Sequence, residues 1–203
     1  SYEGIVGMEQ NIGGGRATTK NNAYLPFIRN AVGPADFTPG AMNSVHPEDY
    51  KSTRTNPVSI GTRAYQLALY VTLESGIQML ADNPFYYYRE RECTEFITSV
   101  PVVWDETRVL QAKAGEYLVV ARRSKNKWFI GAITDTKQRS FKLNLDFLNE
   151  GAAYKMTAFQ DGVNANVQAM DYKKVTKNVS SGETIEIDLA RDGGWAAVIE
   201  QVK

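Results

Sequence analysis

The hydrophobic pattern of the chain changes its period near Thr98. Beyond that point apolar and polar residues alternate, most clearly in residues 141–147 and 185–189. A period of two places successive side chains on opposite faces of a strand, so each such segment is half buried. Turn residues separate the segments, and we count roughly seven or eight strands with no helical stretch between them. The pattern predicts an all-β, antiparallel β-sandwich over residues 98–203.

The first 97 residues follow a different rhythm. Residues 21–32 and 63–81 space apolar side chains at helical intervals, and proline or glycine signals end both segments. Between them lie a short strand-like run at residues 35–38 and a long polar loop at residues 43–57. Helix, short strand, loop and helix is the order of an α/β unit. We therefore expect an α/β region over residues 1–97.

Composition limits the partners of the chain. The 203 residues carry 23 basic and 23 acidic side chains, which gives no broad positive field for nucleic acid. The longest apolar run is far shorter than the roughly 20 residues that cross a bilayer, so no membrane span is expected. One cysteine and one histidine exclude a disulfide framework and a Cys/His zinc cluster. A bound metal would have to be a hard cation held by oxygen ligands.

Three further motifs are interpreted as structural. The triple glycine at residues 13–15 lacks the lysine of a phosphate-binding loop. Residues 161–171 are rich in oxygen side chains but lack the spacing of a calcium loop, which favours a hairpin turn. The three tryptophans could stack on sugars, but their positions favour packing in the core or at an interface: Trp104, Trp128 and Trp195.

Glu3 and Glu9 stand six residues apart in the segment "EGIVGME". Neither a helix nor a straight strand would bring both carboxylates to one point. Gly4 and Gly7 allow the chain to fold back and place them in one cleft. From the residues alone, two surface glutamates remain the default interpretation. His46 is likewise read as a solvated loop residue, with a place in a substrate cleft as the alternative.

Several segments resemble glycoside hydrolase family 97. "EGIVGME" at residues 3–9, "LPFIRNAVGPADFTPGAMN" at 25–43 and "RAYQLALYVTLESGIQMLADNP" at 63–84 resemble the C-terminal part of its catalytic barrel. "VPVVWDETRVLQAKAGEYLVVARR" at 100–123 and "WFIGAIT" at 128–134 resemble its C-terminal β-sandwich. The resemblance covers nearly the whole chain. It implies the last βα units of an incomplete (β/α)₈ barrel over residues 1–97, followed by the sandwich.

The resemblance also implies an activity. The family hydrolyses α-glucosides or α-galactosides with calcium in the active site, so the expected substrate is an α-linked oligosaccharide cleaved from its end. By motif, Glu9 resembles the general acid and Glu3 a calcium ligand. A general acid needs a raised pKa, whereas a neighbouring calcium ion keeps a carboxylate ionised. Asp36, at the end of the short strand, and His46 are expected to line the cleft.

The same resemblance places the base or nucleophile and the other calcium ligands upstream of Ser1. Inversion and retention therefore both stay open. The chain alone is expected to be inactive, to need the upstream part of its polypeptide as a partner, and to leave the apolar stripe of residues 63–81 partly bare. Export to a bacterial periplasm is implied as well. The alternative is a non-catalytic carbohydrate-binding or structural β-sandwich module.

Overall fold

The computed structural model describes residues 7, 17–39, 42–53 and 56–202. Its first part holds five helices and two short strands, which in chain order are α1 (Thr19–Asn22), α2 (Leu25–Ile28), β1 (Ser44–Val45), β2 (Ser59–Ile60), α3 (Arg63–Thr72), α4 (Pro84–Arg89) and α5 (Arg91–Ser99). Strands β1 and β2 pair in parallel, and β2 leads directly into α3. The expected mixture of helices and short strands is thus present in this part.

Eight strands follow: β3 (Glu106–Lys113), β4 (Tyr117–Ser124), β5 (Lys127–Thr134), β6 (Arg139–Asn144), β7 (Tyr154–Asp161), β8 (Tyr172–Val179), β9 (Thr184–Leu189) and β10 (Gly194–Gln201). Six form one antiparallel sheet in the order β3-β4-β5-β10-β7-β8, and β6 pairs with β9. No helix interrupts residues 100–202. The prediction of an antiparallel all-β region is confirmed, while the boundary between residues 97 and 98 stays a prediction.

One face of the six-stranded sheet packs against the β6–β9 pair. The alternating apolar residues of β6 and β9 point into this core, which also holds Trp128 and Trp195, 5% and 2% exposed. The Trp128 ring lies 4.6 Å from that of Phe147. The prediction that these two tryptophans are core residues is confirmed. Trp104 is partly buried against the other core.

The opposite face of the six-stranded sheet is covered by α3. All ten residues of α3 are buried, and the helix packs mainly on β5 and β10. Gly131 and Gly194 permit the close approach, since a Cβ on Gly131 would lie 2.8 Å from the Cβ of Val71. The expectation that the apolar stripe of residues 63–81 is partly bare is therefore wrong for α3, which the sandwich covers. It is confirmed beyond α3, where Ile77 and Leu80 are 50% and 47% exposed.

Both predicted helices are shorter than expected. Residues 21–32 are divided between α1, α2 and a 3₁₀ turn at Asn30–Val32, with Pro26 in the first turn of α2. Helix α3 ends at Thr72 rather than at residue 81. Beyond it the backbone becomes extended. The N–H groups of Ala35 and Phe37, in the strand-like run, donate hydrogen bonds to the carbonyl oxygens of Glu74 and Ile77. Tertiary backbone pairing has replaced the helical bonds.

The strand expected at residues 35–38 is reduced to bridge residues at Asp36 and Phe37, and Phe37 pairs in parallel with Gln78. Phe37 is nevertheless buried, so the run contributes to the core as predicted. Within the described ranges, no helix is long and apolar enough to cross a membrane.

Candidate functional site

Glu3 and Glu9 lie outside the described residues. Gly7, which stands between them, is described and buried. The roles assigned to the two carboxylates therefore stay predictions.

Asp36 is half buried beside the bridge that Phe37 makes with Gln78. Its Oδ1 atom is buried and makes no hydrogen bond with the residues that the structure describes. A buried carboxylate oxygen without a donor is costly. The place of Asp36 in a substrate cleft stays a prediction.

His46 is 1% exposed, so the interpretation as a solvated loop residue is wrong. Its Nε2 atom lies 2.7 Å from the carbonyl oxygen of Ala165, in the turn that joins β7 to β8. Its Nδ1 atom lies 3.5 Å from Oδ2 of Asp192, in the turn before β10. The ring of His46 thus faces two turns of the sandwich, and a role at the substrate stays a prediction.

Asp192 connects three separate parts of the chain. Its Oδ1 accepts a hydrogen bond of 2.5 Å from the hydroxyl of Thr19, the first residue of α1. Its carbonyl oxygen accepts from the N–H of Thr62, 2.9 Å away. Its own N–H donates to Asp135 O. A φ of 53° turns the residue into the left-handed region, which aspartate tolerates better than most side chains.

The partners of His46 define its protonation state. A backbone carbonyl and a carboxylate can only accept hydrogen bonds, so both ring nitrogens face acceptors. Only the imidazolium carries an N–H on each nitrogen. The carboxylate of Asp192 raises the pKa of His46, an effect that burial opposes and the Ala165 carbonyl reinforces. The raised pKa favours the imidazolium, which forms a buried ion pair with Asp192 across 3.5 Å.

Asp161, at the end of β7, forms a second connection. Its Oδ1 accepts from the Thr62 hydroxyl at 2.5 Å, and its Oδ2 accepts from the N–H groups of Ala190 and Gly194 at 2.9 and 3.0 Å. Burial raises the pKa of Asp161 to about 6, although these three donors favour the ionised form. Thr62 also caps α3, since its hydroxyl accepts from the Tyr65 N–H.

We call five side chains the junction cluster, of which four are buried and Asp161 is half buried: Thr19, His46, Thr62, Asp161 and Asp192. An exposed ion pair between Arg191 and Glu48 lies beside it. The cluster offers no exposed nucleophile. In the described part of the chain, no group of three or more His, Cys, Asp or Glu residues could hold a metal ion.

Sequence reasoning did not find the junction cluster. It read Asp161 and Asp192 only as turn residues, because each stands before a glycine. Thr19 and Asp192 are 173 positions apart, so no local spacing could join them. The one available signal was the single histidine of the chain.

Comparison with known proteins identifies related families. A family model described as "Glycosyl-hydrolase 97 C-terminal, oligomerisation" matches residues 103–200. The chain is 41% identical, over 98% of its length, to a retaining alpha-galactosidase of Bacteroides thetaiotaomicron. It is 33% identical, again over 98%, to a probable retaining alpha-galactosidase of Streptomyces bingchenggensis. The chain spans 30% and 28% of the length of these relatives.

A solved structure resembles the whole described fold. It is a glycoside hydrolase family 97 enzyme from Pseudoalteromonas sp. strain K8, bearing the substitution E480Q and in complex with panose. The TM-score is 0.85 at 30% identity, and the match covers 97% of this chain and 31% of that one.

Proposed function

We propose, because this chain belongs to glycoside hydrolase family 97, that it forms the C-terminal part of a retaining α-glycoside hydrolase. The observation that carries the proposal is the 41% identity over 98% of the chain to a retaining alpha-galactosidase. The second relative bears the same activity in its name. We therefore take α-galactosides as the first substrate class and α-glucosides as the second, since panose is bound to the structural neighbour.

The architecture proposed for residues 1–97 is the end of a (β/α)₈ barrel. Two observations support it: β1 and β2 are parallel, and β2 runs directly into α3. In such barrels the catalytic and substrate-binding residues lie at or just after the carboxyl ends of the strands. The loop that begins at His46 follows β1 in that position. The remaining strands would belong to the part of the relatives that this chain does not span.

In the proposed mechanism Glu9 is the general acid. It donates its proton to the glycosidic oxygen as the bond to the leaving group breaks, and a carboxylate from the rest of the polypeptide attacks the anomeric carbon. In the second step Glu9 takes a proton from water as that water hydrolyses the glycosyl–enzyme bond. Retention requires the two carboxyl groups to stand about 5–5.5 Å apart.

Glu3 is proposed as one ligand of a calcium ion, with further ligands outside the described residues. A bound calcium ion would hold Glu3 ionised and could orient sugar hydroxyls. Glu3 would therefore be charged where Glu9 must be protonated. Asp36, with its unpartnered buried oxygen, is a proposed residue of the same cleft. Export to the bacterial periplasm is proposed on family grounds alone.

The experiment that tests this proposal compares leaving groups. In a protein that extends this chain to the full length of its relatives, Glu9→Gln should lower kcat/KM on oligosaccharides by about 10²–10⁴-fold. The loss should be much smaller on activated aryl α-glycosides, since their leaving groups need little protonation. Glu150→Gln, at an exposed position between β6 and β7, is the matched control and should leave both rates unchanged. Equal loss on both substrates would rule out Glu9 as the acid.

The alternative of a carbohydrate-binding module finds no support in the tryptophans. Trp128 and Trp195 are buried in the sandwich core and cannot stack on a sugar from solvent. Trp104 is partly buried, with the Arg122 guanidinium 5.6 Å from its ring.

A further inference from the structure

The junction cluster lies between the sandwich and the segments that carry the proposed site. Thr19, the first residue of α1, donates its hydroxyl to Asp192 in the turn before β10. His46 begins the loop proposed to flank the cleft, and its Nδ1 atom lies 3.5 Å from Oδ2 of the same aspartate. One carboxylate therefore faces both α1 and this loop.

Asp192 is itself fixed in place. Its N–H and carbonyl oxygen are both hydrogen bonded, and its side chain is 1% exposed. Gly193 and Gly194 follow it in close contact with Asp161 and with the start of α3, where an added Cβ would come within 2.4 Å of backbone or carboxylate atoms. The turn cannot shift without disturbing the end of β7 and the start of α3. A carboxylate on so constrained a turn is suited to setting the position of the segments it binds.

Charged groups surround His46 in the junction cluster. The charged groups that face His46 are Asp192 and Asp161 from the sandwich, Arg191 beside them, and Glu48 from its own loop. A buried ion pair is a weak source of net stability, but removing one partner leaves the other charge uncompensated. Such pairs favour one geometry over its alternatives, which fits a positioning role better than a stabilising one.

We propose that Asp192 and His46 are positioning residues for the glycosidase reaction: they hold α1, through Thr19, and the loop at residue 46 in place against the sandwich. Neither residue touches the substrate. The inference rests on the proposed function, because it assigns to Glu9 the role of general acid. It gives the C-terminal domain a direct part in arranging the active site.

The test uses the full-length enzyme with two variants. Asp192→Asn removes the negative charge that faces His46, and Thr19→Val removes the hydroxyl that donates to Asp192. If the acid is displaced, its proton transfer to the leaving group is impaired, so kcat/KM on oligosaccharides should fall about tenfold to a hundredfold. For activated aryl α-glycosides, whose leaving groups need little protonation, kcat/KM should stay near the wild-type value. Thr19→Ser, which keeps the hydroxyl, should restore the oligosaccharide rate. Asp188→Asn, at an exposed position on β9, is the matched control and should change neither rate.

The outcomes are distinguishable. If both variants lose activity on the two substrate types in equal proportion, matching the loss of folded protein, the role is only structural and the inference falls. Unchanged oligosaccharide rates in both variants would overturn it as well, while the proposed function would stand. If the wild-type enzyme cleaves no α-glycoside, the proposed function fails and this inference fails with it. Thr19→Val leaves both His46 and Asp192 in place, so it remains informative where Asp192→Asn does not fold.

Discussion

At the scale of the residue, His46 has the only imidazole of the 203-residue chain, and that imidazole is buried between two acceptors. Its pKa is raised above the ordinary value near 6.5 by the carboxylate of Asp192. A raised pKa in the folded state means that the folded protein binds the proton more tightly than the unfolded chain does. The stabilisation is therefore complete below the unfolded pKa and is lost as the pH rises through the folded one.

The direction of this pKa shift predicts how the stability of the protein changes with pH. The free energy of unfolding of the wild type should exceed that of His46→Gln by about 1–3 kcal/mol at pH 5.5. The difference should shrink as the pH rises toward 9, because the wild type then loses its imidazolium. Urea unfolding of both proteins at several pH values measures it. A difference that stays constant or grows with pH would contradict the assignment of His46 as an imidazolium.

At the scale of the element, the contact between α3 and the sheet depends on the absence of side chains on the strands. A Cβ on Gly131, in the middle of β5, would lie 2.8 Å from Val71 Cβ, 2.9 Å from Thr72 Cγ2 and 3.0 Å from Ala68 O. All three atoms belong to α3 and are held by the helix backbone. The helix must therefore move away from the sheet to make room.

We predict that Gly131→Ala lowers the free energy of unfolding by about 1–3 kcal/mol, as overpacking of a core does. Lys155→Ala, at an exposed position on β7, is the control and should change stability by less than about 0.5 kcal/mol. Denaturant unfolding of the two variants gives both values. An unchanged midpoint for Gly131→Ala would mean that α3 does not pack on β5 as described.

At the scale of the whole molecule, the six-stranded sheet has a core on each face, and α3 supplies much of one of them. Residues of the sheet that lie in this shared core include Leu118, Val120, Phe129, Ile133, Phe159 and Ala196. A sandwich cut at the predicted boundary would expose that face to water. Contiguous apolar surface of this kind promotes association.

A protein of residues 98–203 alone should therefore aggregate or melt at a lower temperature than one of residues 60–203, which retains α3. Size-exclusion chromatography and thermal unfolding of the two compare them directly. A well-behaved monomeric sandwich of equal stability without α3 would show that the two parts are independent domains.

The local hydrophobic pattern was sufficient to predict elements that have one buried face and one exposed face. The alternation at residues 185–189 corresponds to β9, and that at 141–147 corresponds to β6 only as far as Asn144. Beyond it the chain turns, although Leu145 and Phe147 also lie in the core as predicted. The start of α3 at Arg63 was also predicted, and Thr62 caps the helix there. Its end was not, because hydrogen bonds from residues 35–37 replaced helical ones beyond Thr72. A competing partner distant in sequence leaves no mark on local periodicity.

The sequence by itself determined the antiparallel β region, the buried tryptophans and the family resemblance. Each of these follows from a local pattern of neighbouring residues. Only the tertiary structure decided that α3 is fully covered and that His46 is buried. It also decided that Asp192 joins segments as distant as Thr19. Hydrogen bonds and close contacts act through space and ignore separation along the chain. The joint between the two parts of this protein is therefore a property of the fold.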